Sequence, residues 1–151
     1  MQSLEIKGLD ELVSRIEKVV ENMPERRRKL HTTLAERLKA SVDAEIAVSV
    51  NDSHGKIRSW QEAKVGSGGG YAAVRAVKGG SGADSPGAIT NYLESGHKIR
   101  PAGSGKNYRP RIRVPYVNGK HFYAAVRGRI AGEVMAAGED FIKEIARDIQ
   151  K

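Results

Sequence analysis

SGHKIRPAGSGKNYRPRIRVPYVNGKHF, residues 95–122, contains Pro101, Pro110 and Pro115 among several glycines, so it cannot be one regular helix. It reads as a long basic loop leading into a short strand. A short helix ends at Gly96 before it, and the longest helical pattern of the chain begins after it. From Ser95 to Gly132 there are nine cations (Lys98, Arg100, Lys106, Arg109, Arg111, Arg113, Lys120, Arg127 and Arg129) and no Asp or Glu. A loop of this length inside a domain is usually functional or mobile, so it is the first place to look for a partner. Lys98, Arg100, Lys106, Arg109, Arg111 and Arg113 are the candidate binding residues.

C-terminal to this stretch, Phe122, Val126, Ile130, Val134, Ala137, Phe141, Ile145 and Ile149 recur every three or four residues, one apolar stripe on a helix running to the end. Gly128, Gly132 and Gly138 are expected either to bend it or to admit a close neighbour, with bending favoured. On the N-terminal side, Pro86 opens a short helix carrying Ile89, Tyr92 and Leu93, which Gly96 caps. Lys56–Val65 and Tyr71–Val77 read as a hairpin across Gly66–Gly70, with Ile57, Trp60, Val65, Tyr71 and Ala73 on the covered side. Ser3–Lys7 alternates as a strand. Leu9, Leu12, Val13, Ile16, Val19, Val20 and Met23 then predict a helix that Pro24 stops. A second helix follows, with Leu30, Leu34, Leu38, Val42 and Ile46 as its stripe and the cluster Arg26–Lys29 in its first turns, where the dipole disfavours positive charge.

These elements predict an α+β fold in which a small antiparallel sheet packs against two N-terminal helices and a long C-terminal helix. A single domain over residues 1–151 is expected, with flexible segments near 66–70, 78–88 and 97–110. No run is long enough to span a bilayer and no apolar signal segment follows Met1, so synthesis in the cytosol and no membrane partner are expected. The absence of cysteine excludes disulfides and thiolate zinc sites. Net charge is +8, but residues 53–132 carry +11 and the two ends together −3. Such asymmetry suits either nucleic acid or an acidic protein surface.

Catalytic motifs are near misses. In GSGK, residues 103–106, the first glycine of a phosphate loop would fall at Arg100, and Asn107 stands where a magnesium-binding hydroxyl is needed. Asp52, Ser53 and His54 are triad residue types, but three consecutive residues do not converge as nucleophile, base and orienter, and an Asx-type turn is favoured. His31, His54, His97 and His121 are too dispersed for a metal motif. No catalytic residue, cofactor or metal is expected, and the chain is read as no enzyme.

The order of elements, opening on LEIKGLDELVSRIEKV and followed by LAERLKASVDAEI, DSHGKIRSW, ITNYLESGHKIRP and HFYAAVR, resembles the tail-component family of long-tailed bacteriophages and prophages. Asp52–Arg58 is similar to the family's D-T-G-x-L-R turn, with Ser53, His54 and Ile57 differing from it. Tyr92–Gly96 resembles the aromatic, glutamate and glycine after its short helix, and Phe122 the aromatic that starts its last helix. The resemblance implies a structural virion protein, made in the host cytoplasm. It would form a ring, sixfold in expectation, at the head–tail junction or in tail completion, and contact neighbouring connector and tail-tube proteins and itself. DNA in the lumen is a second partner, and a nucleic-acid-binding module the alternative function. Arg109, Arg111 and Arg113 alternate, so on an extended strand they share one face. That face is expected to meet Glu133, Glu139, Asp140, Glu144 and Asp148 of a neighbouring copy.

Overall fold

The computed structural model describes residues 8–99 and 116–151. The strand expected at Ser3–Lys7 and the segment from Arg100 to Pro115 lie outside these residues.

The chain enters through α1, Leu9–Ser49, a single helix of 41 residues where two were expected. Pro24 lies inside it and does not end it. Proline removes the amide that the Val20 carbonyl would accept, at a cost of about 3 kcal/mol. Apolar residues continue at helical spacing on both sides, and packing of Val19, Leu34, Ala35, Val42 and Ile46 outweighs the local stop signal. The Arg26–Lys29 cluster is consequently mid-helix, away from the N-terminal dipole.

A turn leads to α2, Lys56–Ser59, and then to β1, Gln61–Val65, so the strand expected from Lys56 is a helical turn for its first four residues. β1 pairs with β2, Ala72–Ala76. α3, Pro86–Ser95, leads directly into β3, Gly96–Lys98, which pairs antiparallel with β4, Tyr116–Asn118. α4, Phe122–Gln150, closes the chain. The fold is α+β, with two separate two-stranded antiparallel sheets in place of one small sheet. α4 runs unbroken through Gly128, Gly132 and Gly138, and a Cβ at any of the three would meet nothing within 4 Å, so no neighbour among the described residues approaches closely there.

The described chain clusters into two units. One comprises the chain up to Leu38, Ala63–Ala73 and Arg129–Lys151. Val19, Leu34 and Ala35 are its buried apolar residues. The connection after β1 lies on α1: Gly69 has φ 67°, and a Cβ there would come within 3.1 Å of the Arg28 Cα. Arg28 donates to the Ser67 carbonyl at 3.1 Å. Tyr71, expected on the covered side, is 56% exposed because its ring lies over Gly66, where a Cβ would be 2.5 Å away. Within the same unit, Leu30, Leu34, Ala137 and Phe141 help line a groove of about 750 Å³, and Arg26 donates to Asp148 at 2.5 Å.

The other unit comprises Lys39–Glu62 and Val74–Gly128. Val42, Ile46, Phe122 and Val126 are almost fully enclosed there, each such burial stabilising by about 1.5–3 kcal/mol. Gln61 and Thr90 are buried with them.

Candidate partner-binding site at the root of the basic segment

α3 starts as its sequence predicts, with Ser85 Oγ accepting from the Ala88 amide at 3.3 Å and Pro86 in the first turn. It ends at Gly96, whose φ of 77° is costly for any other residue. The chain leaving α3 and the chain entering α4 are held against each other at this point. The Lys120 amide donates to the Leu93 carbonyl at 2.7 Å and the His121 amide to the Glu94 carbonyl at 3.1 Å. Two glycines permit the approach: a Cβ on Gly96 would lie 2.4 Å from the Val117 oxygen, and one on Gly119 2.2 Å from the Glu94 oxygen.

Glu94 locks the same junction with its side chain. Its carboxylate accepts from the Tyr123 amide at 3.0 Å and the Ala124 amide at 3.2 Å, placing negative charge at the N-terminus of α4. His121, immediately before that helix, holds a left-handed φ of 54°, so Glu94 from another element performs the capping. Phe122 is fully enclosed just beyond.

Beneath the junction runs a buried polar chain. The Tyr123 hydroxyl donates to Gln61 Oε1, and Gln61 Nε2 donates to the Ile57 carbonyl at 3.0 Å and to Thr90 Oγ1 at 3.4 Å. Burial, followed by the charges of Glu94 and Asp43, pushes the Tyr123 phenol up to about 12, which keeps it protonated and a donor. Asp52 anchors the neighbouring turn. Its carboxylate accepts from the Ile57 and Arg58 amides at 3.0 Å and from Arg58 Nε at 3.2 Å. Burial opposes its ionisation, but the Arg58 and Ile57 amides and the guanidinium prevail and hold its pKa below the ordinary value. The turn expected here is present, although the Asp52 side chain reaches five and six residues ahead rather than the two of an Asx turn.

From this locked base β3 and β4 project as a short ribbon, with Gly96 opposite Asn118, His97 opposite Val117 and Lys98 opposite Tyr116. Tyr116, Val117, Lys98 and Lys120 are exposed on and beside it, and the Tyr116 hydroxyl donates to the Ser95 carbonyl at 2.9 Å. The His97 ring stacks obliquely on Tyr92 at 5.2 Å, with Nδ1 buried and without a partner among the described residues. Of the six candidate binding residues, Lys98 stands on β3, while Arg100, Lys106, Arg109, Arg111 and Arg113 lie outside the described residues. The acids expected to oppose them are partly engaged: Asp148 by Arg26, and Glu139 and Asp140 by Lys143 at 3.9 and 3.6 Å. Among the described residues no three His, Asp or Glu side chains are grouped as metal ligands.

A second surface was not expected from the sequence. The stripe Leu9, Leu12, Val13, Ile16 and Val20, an apolar helical face by its spacing, is 40–63% exposed, and only Val19 of that helical stretch is buried. Periodicity identifies an apolar face but not whether the same chain covers it. No known family profile matches this chain, and no curated protein or solved structure matches it.

Proposed function

We propose that the protein is a structural subunit of a tailed-phage virion, assembling with copies of itself into a ring at the head–tail junction or in tail completion. The observation that carries this reading is the apolar stripe that α1 leaves exposed among the described residues. Beside it stands a sequence feature, the acid-free basic run from Ser95 to Gly132, whose described flanks β3 and β4 pair on a locked base. The layout that resembles the phage tail-component family supplies the biological setting, and connector and tail-tube proteins are the further partners it implies. In this reading Asp52, Glu94, Gln61 and Tyr123 hold the fold and do no chemistry.

Light scattering after gel filtration, with negative-stain imaging, tests the proposal. A ring of defined stoichiometry is expected, and reversal of Arg109, Arg111 and Arg113 to Glu should prevent its assembly. A monomer that shifts labelled DNA in a salt-sensitive manner would overturn it. That outcome would favour a nucleic-acid-binding module, for which Tyr116 beside Lys98 provides a stacking face and a phosphate contact.

A further inference from the structure

We infer that the groove between α1 and α4 packs against the same groove of a second copy of this chain, the two copies related by a two-fold axis running along the helices. The floor of the groove is apolar, and Leu30 and Phe141 in it are only half-buried. Its walls carry opposite charge. Lys29 and Arg37 stand on the α1 side; Glu133, Asp140 and Glu144 stand on the α4 side, within about 40° of one another at 100° per residue. The walls bridge at one end, where Arg26 holds Asp148 and where Arg147 and Lys151 also lie. Away from that end, Lys29, Arg37, Glu133 and Glu144 are exposed and make no ion pair among the described residues, while Asp140 has Lys143 beside it at 3.6 Å.

The order of charge selects both the occupant and its orientation. Arg26 and Asp148 stand level, and the two helices run antiparallel from there. At 1.5 Å per residue Lys29 and Glu144 both lie about 5–6 Å from the bridge, and Arg37 lies about 17 Å from it, between Asp140 at about 12 Å and Glu133 at about 23 Å. A half-turn about an axis parallel to the helices sets α1 of one copy on α4 of the other at the same height. Lys29 then meets the partner's Glu144, Arg37 falls between the partner's Asp140 and the partner's Glu133, and every contact is made twice. A half-turn about an axis across the helices would set α1 on α1, like charge on like. The two apolar floors close on each other as the centre of a four-helix bundle with ion pairs along its edges. Such a contact joins two copies only, so it goes beyond the ring proposed above and does not depend on it.

Lys29→Glu with Arg37→Glu makes both walls acidic, and Glu133→Lys with Glu144→Lys makes both basic; all four side chains are exposed, so circular dichroism should show both variants folded. By analytical ultracentrifugation each variant alone should pair at least about tenfold more weakly than the wild type, and the equimolar mixture should pair as well as the wild type. The chain contains no cysteine, so Thr33→Cys copies should form disulfides with differently tagged Asp140→Cys copies. Wild-type pairing that neither reversal weakens, or a mixture that stays unpaired, overturns the contact. If the basic variant is rescued instead by copies carrying Arg109→Glu, Arg111→Glu and Arg113→Glu, the α4 acids meet the basic segment of a neighbour, so the two-fold contact is wrong and the ring reading stands. A wild type that stays monomeric at every concentration overturns both.

Discussion

Replacing Gly119 with alanine should unfold the junction at the root of the basic segment. The new Cβ would lie 2.2 Å from the Glu94 oxygen, 2.7 Å from the Ser95 carbonyl carbon and 2.8 Å from the Gly96 nitrogen, all backbone atoms that cannot rotate aside. Relief requires the end of α3 and the start of α4 to part by about 1 Å, since ordinary carbon contacts begin near 3.5 Å. Overpacking of this kind costs about 1–3 kcal/mol, and the two amide bonds at Lys120 and His121 contribute about 1 kcal/mol each. The expected loss is about 3–5 kcal/mol, or a fall in Tm of about 6–20 °C for a chain of this size. Gly128→Ala is the matched control: it sits mid-helix with nothing within 4 Å of the added carbon, so it should stabilise by about 0.5–1 kcal/mol. Urea unfolding followed through Trp60, the single tryptophan, measures both. A Gly119→Ala loss under about 0.5 kcal/mol, or an equal loss at Gly128, would refute the close approach.

Tyr123→Phe removes the donor to buried Gln61 and should destabilise by about 1–3 kcal/mol in the same unfolding assay. Because the folded phenol titrates near 12 against an ordinary 10, the unfolded chain ionises first, and stability should fall as pH rises from 10 toward 12; Tyr123→Phe should flatten that fall. Asp52 has the opposite sign. Its folded pKa is below 3.8, so its contribution is complete above that value and is lost as pH falls through the folded pKa; Asp52→Asn should unfold more readily at pH 7 and show less acid sensitivity in a pH titration by circular dichroism. Asp148→Asn breaks a half-exposed pair with Arg26 and should cost under about 1 kcal/mol by thermal melting, far less than the Gly119 change.

Where a short run of residues contained its own cause, its structure was legible in the sequence. Ser85 and Pro86 start α3 and Gly96 ends it through local hydrogen bonds, and the stripe from Phe122 marks α4 because helical spacing repeats over eight turns. The class, α+β, followed from those signals and from the prolines and glycines between them. What depended on distant residues could not be read in this way. Pro24 carries a stop signal, yet α1 continues because packing along its length outweighs one missing hydrogen bond. Gln61, Thr90 and Tyr123 look like unrelated polar residues, and only the fold joins residues 61, 90 and 123 into one buried chain. Glu94 became the cap of α4 across 29 residues of sequence, with His121 left at positive φ. The same distinction governs the surfaces: periodicity showed that Leu9, Leu12, Val13, Ile16 and Val20 share a face, while their exposure is decided by which other elements reach that face, a property of tertiary packing alone.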